Sequence, residues 1–366
     1  MTAALPPSLP FDLDGFERSA AASLDPATYT YLANGSGANV TRDANRRAWD
    51  QWRLRPHVLR DVSRISTTTT VLDSPVDLPV LVAPTAMQRM AWIDGELAMA
   101  RASAAAQTVL ITSMAASYSV EDVAAAAPGG ARWAQMYLLR DAGRTRALAE
   151  RARDAGYGAI VLTVDGAAVP YGRRRLADGL VLSQRFSFPN MLLPGEPLDT
   201  LLTDLVDDFD PATTAADIER LASWSGLPVV VKGVLRGDDA LRAIDHGAAG
   251  IVVSNHGGRT HDGCAATAVA LPEVVDAVAG RAEVYVDGGI RAGIDVARAL
   301  ALGARAVLIG RPTLWGLAVD GTPGVVAVLA ALREELVRVM AFCGAPTLDS
   351  LSRDLVDSNG LMERRP

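Results

Sequence analysis

Lysine is almost missing from this chain of 366 residues: of 35 basic side chains, 34 are arginine and one, Lys232, is lysine. Cysteine and histidine are nearly as scarce. Cys264 and Cys343 are too few and too far apart for a disulfide framework or a C-x-x-C metal pair, which points to a reducing compartment. The four histidines (His57, His246, His256, His261) form no H-E-x-x-H, so no histidine-built metal site is expected. A formal net charge of −7 offers no basic field to nucleic acid or anionic lipid. No charge-free apolar run approaches the ~18 residues of a membrane span. The first twenty residues lack the cationic and apolar regions of a secretory signal. The expectation is a cytoplasmic protein acting on small molecules, without nucleic acid as partner and without a membrane span, though contact with a membrane surface stays open. A G-x-S-x-G elbow is absent too. Gly35-Ser-Gly37-Ala-Asn-Val40 lacks the third glycine of a dinucleotide fingerprint and follows no strand pattern, so it reads as a turn between helices.

What is present is an alternation. Eight short, nearly continuous apolar runs occur at 79–86 (PVLVAPTA), 109–114 (VLITSM), 133–138 (WAQMYL), 159–165 (AIVLTVD), 228–234 (PVVVKGV), 250–255 (GIVVSN), 283–289 (EVYVDGG) and 306–311 (AVLIGR). Strands covered on both faces read this way. Between them lie helical stretches such as ELAMARASAAAQ and GIDVARALALGA, several ending in glycine. Thr214-Ala-Ala-Asp217 is an approximate capping box opening one of them. Eight strand–helix units in a row predict an α/β fold, a (β/α)₈ barrel, where a doubly wound sheet stops at fewer strands. Length alone fits two domains or one large barrel; the pattern selects one domain over 1–366. It comprises an N-terminal helical segment (1–78), the barrel (79–312), an insertion after strand four (166–213) and C-terminal helices (313–366). That insertion holds RFSFPNMLLPGEP and LLTDLVDDFD and is read as an active-site lid.

Chemistry in such a barrel sits at the C-terminal ends of its strands. Strand seven runs into Asp287-Gly-Gly-Ile-Arg-Ala-Gly293 and strand eight into Gly310-Arg311-Pro312. Exposed backbone N–H groups and arginines there suit a phosphorylated ligand; tight turns needing glycine are the simpler alternative. Lys232 ends strand five, placed as a Schiff-base nucleophile or as a fixed charge stabilising an anion. After strand six, His256 and Arg259 put a base and an anion clamp on one loop. Gln135 with Tyr137 on strand three, and Thr163 with Asp165 on strand four, are spaced by two and so share a side.

Together these residues resemble the FMN-dependent α-hydroxy-acid oxidases and dehydrogenases. SNHGGRTHDG looks like that family's active-site signature, and APTAM, QMY, LTVD, VKGV, DGGIR and ALGARAVLIGRP follow in its order and spacing. The resemblance implies FMN across the mouth. Its phosphate is expected at Gly289, Arg291, Gly310 and Arg311, with Asp287 near the ribityl chain and Gly288 among the cofactor-binding residues. Pro84, Thr85 and Ala86 are expected under the ring, Ser113, Gln135 and Thr163 at its edge, Lys232 beside N1 and the C2 carbonyl, and Ser254 among the cofactor-binding residues. The resemblance makes His256 the base, held by Asp165. It makes Arg259 and an arginine of the strand-four loop the carboxylate clamp, with Tyr31 and Tyr137 on the carboxylate and hydroxyl. A homotetramer is the family's assembly.

The chain departs from the family pattern in places. GAAVPYGRRRLADG follows strand four with altered length, so Arg174 is the match for the clamp and Arg173 and Arg175 are alternatives. Where glycolate-type members carry an aromatic after strand two, Ala115 stands here, which opens the pocket toward aryl or long-chain acids. The activity so implied is oxidation of an (S)-2-hydroxy acid to the 2-oxo acid, with O₂ giving peroxide. A quinone or protein acceptor, a non-redox FMN isomerase and a flavin carrier without turnover are the rival readings.

Overall fold

Apolar runs without alternation belong in a sheet buried on both faces, and all eight find one. The structure, a computed structural model, describes residues 10, 12–166, 187–193, 196 and 208–358. Most of the expected lid, Arg173, Arg174 and Arg175 included, lies outside the described residues.

Three helices come first: α1 (Leu13–Ser23), α2 (Pro26–Ala33) and α3 (Val40–Trp49). Asp12 and Asp25 cap the first two through their carboxylates. The turn at Gly35–Asn39 is the expected inter-helix turn. Asn39 offers α3 no side-chain cap. Asp262, far along the chain, supplies it by accepting from the N–H groups of Ala38, Val40 and Thr41 at 2.9, 3.2 and 2.8 Å.

The 1–78 segment is not helical throughout. Strand β1 (Trp52–Leu54) and a hairpin, β2 (Thr69–Val71) with β3 (Ser74–Val76), interrupt it. STTTTV is a β-branched run of the kind strands favour. Leu72 and Asp73, at φ +41° and +64°, make the tight turn. Val71 and Val76 pack into the barrel interior, and the hairpin is tied to the starts of two strands by Leu72 N–H to Glu283 Oε2 (3.1 Å) and Arg305 Nε to the Thr70 carbonyl (2.7 Å). It plugs the N-terminal end of the barrel.

The barrel itself is β4 (Val80–Val82), β5 (Leu110–Thr112), β6 (Arg132–Met136), β7 (Ile160–Thr163), β8 (Val229–Val234), β9 (Gly250–Val253), β10 (Glu283–Val286) and β11 (Ala306–Ile309). Each strand pairs in parallel with the next, and β11 closes on β4 through Val307↔Val80 and Ile309↔Val82. Alternate side chains, among them Leu81, Ile111, Trp133, Val161, Val252, Tyr285 and Leu308, fill the interior. Their neighbours, such as Val82, Leu162 and Val231, face the helices. Each such burial is worth about 2 kcal/mol.

The outer layer is α4 (Gly95–Ala105), α5 (Val120–Ala126), α6 (Ala142–Asp154), α7 (Ala216–Ser225), α8 (Gly237–Asp245), α9 (Thr267–Val278), α10 (Gly293–Ala301) and α11 (Arg311–Phe342). The Thr214/Asp217 box is half formed: Asp217 accepts from the Thr214 N–H at 2.7 Å, one turn before α7 settles. α11 starts immediately after β11, earlier than the sequence suggests, and is broken at Asp320 and Gly321. A last strand, β12 (Val356–Ser358), pairs antiparallel with β1. Among the described residues no helix is long and apolar enough to cross a membrane.

The break in α11 folds its two arms together at Gly316 and Gly324. A Cβ on Gly324 would lie 2.0 Å from the Gly316 carbonyl oxygen, backbone that cannot yield. Gly324→Ala is expected to cost about 3 kcal/mol and to lower the melting temperature of the FMN-loaded protein by several degrees. Gly129→Ala, at φ +77° with nothing within 4 Å, is expected to cost only about 1 kcal/mol. Equal melting temperatures for the two variants would contradict this packing.

Candidate functional site: an anion-seeking mouth on the barrel

Parallel strands deliver all their C-terminal ends to one mouth, and there a cavity of ≈ 320 Å³ opens. It collects nearly every residue expected there. Pro84, Thr85 and Ala86 line it after β4, Ser113 and Ala115 after β5, Gln135 and Tyr137 from β6. Thr163 follows from β7, Lys232 from β8, His256 and Arg259 after β9, and Asp287, Gly288, Gly289 and Arg291 after β10. Gly310 and Arg311 enter with the start of α11, and Tyr31 reaches over from α2.

Lys232 is 3% exposed, yet its ammonium is kept. Burial works to lower its pKa, but Asp287 and then Asp165 more than offset this and hold it above the ordinary lysine value. Nζ lies 3.1 Å from Asp287 Oδ2 and donates to Ser254 Oγ at 2.8 Å. A lysine so protonated is a fixed charge rather than a nucleophile. Ser254, expected among the cofactor-binding residues, is fully buried and does not line the cavity; its hydroxyl accepts from Lys232 and also from the His256 N–H at 3.1 Å.

His256 Nδ1 meets Asp165 Oδ1 at 3.0 Å, while Nε2 has no hydrogen-bond partner among the described residues. Burial pushes the Asp165 carboxyl up, but the charge and hydrogen bond of His256, then Lys232, outweigh it and hold the group below the usual carboxylate range. An ionised Asp165 makes Nδ1 the proton-bearing nitrogen and leaves Nε2 to act as a base. His256, Gly257 and Gly258 have φ of +58°, +60° and +73°. Three successive left-handed residues bend the chain so that the imidazole faces Asp165.

Tyr137 stacks on Phe209, ring centroids 4.4 Å apart. Burial, then the charge of Asp165, pushes its phenol well above the ordinary value, so the hydroxyl stays a donor. Arg259 lies over the Tyr31 ring, 5.1 Å from its centroid. Its Nη1 donates to the carbonyls of Tyr31, Leu32 and Asn34 at 3.0, 3.2 and 2.9 Å. Arg311 grips the same turn, with Nε on Leu32 O, Nη2 on Asn34 O and Nη1 on Gly257 O. Both arginines therefore fasten the N-terminal segment over the mouth as well as lining it. Phe209, Met87, Thr260 and Leu314 also line the cavity and were not singled out in the sequence. Phe209 was visible only as one apolar residue inside an acidic run.

A profile of the FMN-dependent dehydrogenases matches residues 20–358. The chain belongs to that family. It is 45% identical to an L-lactate oxidase of Nostoc sp. over 94% of this chain and 97% of that one. To human 2-hydroxyacid oxidase 1 it is 41% identical, over 95% and 97%. A crystal structure of mandelate oxidase with (S)-4-hydroxymandelic acid superposes with a TM-score of 0.86 at 38% identity, covering 95% of this chain and 98% of that one.

FMN is the cofactor of this FMN-dependent enzyme, and the cavity fits it. Gln135 Nε2, Thr163 Oγ1, Asp287 Oδ1 and Arg291 Nε are buried and unpartnered, all on residues lining the cavity. Natural proteins seldom leave such groups unsatisfied unless a ligand completes them. Gln135 is oriented for this: its Oε1 accepts from Ser113 Oγ and the Met114 N–H at 3.2 and 3.1 Å, which turns the amide nitrogen away from both. Gly289, at φ +83°, is pressed against α3 so closely that a Cβ would lie 2.2 Å from the Asn45 carbonyl oxygen. Burial, with neighbouring Arg46, pushes the Arg291 guanidinium down to about 10. A cation so placed is costly until a phosphate arrives beside it.

Arg291→Met is expected to raise the melting temperature of the FMN-free protein while weakening FMN binding about ten- to hundredfold, the loss of one charge-assisted contact. Flavin fluorescence titration reads the affinity; an unchanged Kd would remove Arg291 from the phosphate site.

Proposed function

We propose that this enzyme oxidises an (S)-2-hydroxy acid to the 2-oxo acid and passes the electrons to O₂, and that its preferred substrates carry an aryl or other large group. The observation that carries the reading is the His256–Asp165 pair beside a buried ammonium at one mouth. The substrate must lose two electrons and two protons; O₂ takes up both as hydrogen peroxide. When bound, FMN supplies the two-electron acceptor between them.

The chain's own residues do the rest. Nε2 of His256 takes the substrate hydroxyl proton, and Asp165 stabilises the imidazolium that results. Lys232 sets a positive charge where negative charge develops on reduction, with Asp287 and Ser254 holding it in place. Tyr137 and Tyr31 offer hydroxyls to the substrate, and Arg259 supplies charge for its carboxylate. Ala86, Met87, Ala115 and Phe209 give the mouth an apolar wall. That wall, and the likeness to a mandelate oxidase, support an aryl substrate. The lactate oxidase relative favours a small aliphatic acid as the second reading.

The test is anaerobic stopped-flow reduction by lactate, mandelate, 4-hydroxymandelate and long-chain 2-hydroxy acids, followed by mixing with O₂. Mandelates are expected to bleach the flavin with a kcat/KM at least about tenfold above lactate's, a difference of roughly 1.4 kcal/mol that one aromatic contact supplies. Phe209→Ala is expected to erase that preference and leave lactate nearly unaffected. No bleaching by any of these acids, or an unchanged rate in His256→Ala, would end the reading. Slow reoxidation by O₂ would move the acceptor to a quinone or protein.

Lys232→Arg is expected to fold and bind FMN but to be reduced about a hundredfold more slowly, because a planar fork cannot replace a compact ammonium between Ser254 and Asp287. Full activity in that variant would make the lone lysine an accident of composition.

A further inference from the structure

The loop that carries His256 is strained, and its restraint comes from outside the barrel. Asn45, in the middle of α3, and Asn255, next to His256, are 1% and 3% exposed. Their amides pair reciprocally: Asn45 Nδ2 donates to Asn255 Oδ1 and Asn255 Nδ2 donates to Asn45 Oδ1, each at 2.8 Å. Turning over either amide would set donor against donor, so the pair orients itself. Asn255 Oδ1 also accepts the Gly258 N–H at 3.3 Å, closing the turn His256–Gly258 with its three left-handed residues. Asn255 Nδ2 reaches the Ala265 carbonyl at 2.9 Å, and Asn45 Oδ1 accepts the Thr267 N–H at 3.2 Å. Asn45 thus spans both ends of the loop from Asn255 to Thr267.

We propose that Asn45 is a positioning residue for His256: through its amide pair with Asn255 it holds the left-handed turn that points the imidazole at Asp165. The residue divides its work. Its side chain serves the histidine loop, whereas its main-chain carbonyl is the surface against which Gly289 packs. The side chain also lies beside Gly288, whose added Cβ would come 3.1 Å from Asn45 Nδ2, but the closer contact to the glycine loop, at Gly289, is made by the main-chain carbonyl and survives removal of the side chain. A left-handed histidine persists only where its surroundings hold it, because the side chain is crowded by its own backbone there. Without the pair, nothing else among the described contacts ties Asn255 Oδ1 to α3.

This inference rests on His256 being the base, and its test separates the two. In FMN-loaded Asn45→Ala, the rate of flavin reduction at saturating substrate is expected to fall about thirtyfold, with KM and the FMN Kd within threefold of wild type. Asn255→Ala is expected to match it, and the double variant to be no slower than either, since both remove one unit. Asn45→Ser, which keeps a hydroxyl for the Thr267 N–H, is expected to fold and to be slowed equally. A rate within twofold of wild type in any of these folded variants overturns the proposal. So does weaker FMN binding with the rate of the loaded enzyme intact, the mark of general loosening. Independently of turnover, ¹H–¹⁵N spectra resolve four histidines, with His256 identified by its absence in His256→Ala. Its Nδ1–H signal, held by Asp165 in wild type, is expected to be lost to exchange in Asn45→Ala. If wild type is bleached by no 2-hydroxy acid yet this signal behaves as expected, the reading of His256 as base fails and the positioning stands; an unmoved signal sinks the positioning alone.

Discussion

One ammonium joins three strands at the mouth of this barrel. Lys232 comes from β8, its hydroxyl partner Ser254 from the end of β9, and its carboxylate partner Asp287 from the end of β10. A buried charge persists only when its partners are fixed, and here each partner has a second task. Ser254 also receives the His256 backbone N–H, and Asp287 opens the glycine loop. The charge proposed to face the flavin is therefore also the charge that ties the His256 loop to the glycine loop. A protein that uses arginine for its other 34 basic positions keeps its lysine where a guanidinium has no room.

Around that centre the site is built by division of labour among loops. Strand ends supply the polar groups that face the cavity, because parallel strands point their C-termini one way. The left-handed turn at His256–Gly258 bends the imidazole toward Asp165, and the glycines at 288 and 289 let a loop lie close against α3. The N-terminal segment completes the wall, held by Arg259 and Arg311 through the carbonyls of residues 31–34. Arginines read as anion ligands thus turn out to be fasteners too.

The sequence made the barrel legible because buried parallel strands leave an unmistakable local signal. All eight runs appear; seven are trimmed by two to four residues where the chain leaves the sheet to form the mouth, and the fifth keeps its full C-terminal end at Val234. The polar residues at the run ends were legible for the same reason. What stayed hidden depends on contacts between distant parts of the chain. Asn45 looks like any helix asparagine until Asn255 is seen 210 residues away. The Asp262 cap of α3, the carbonyl grips of Arg259 and Arg311, and the stacking of Phe209 on Tyr137 are of the same kind. The β2–β3 plug is different: its β-branched STTTTV was present, but nothing local says that a short hairpin belongs inside a barrel. Ser254 was legible as a polar residue at a run end, but its place beneath Lys232 rather than on the cavity wall depends on a contact between β8 and the end of β9.

The pairing of β1 with β12 adds a temporal dimension. Residues 52–54 cannot complete their sheet until residues 356–358 exist, and α3 cannot find Asn255 or Asp262 until most of the barrel has been made. On a ribosome, the segment that emerges first must wait, with the buried faces of α1 and α3 uncovered, for the segment that emerges last. The wall that residues 31–34 lay over the mouth is consequently among the first parts made and the last seated, since Arg259 and Arg311, which hold its carbonyls, are made far later.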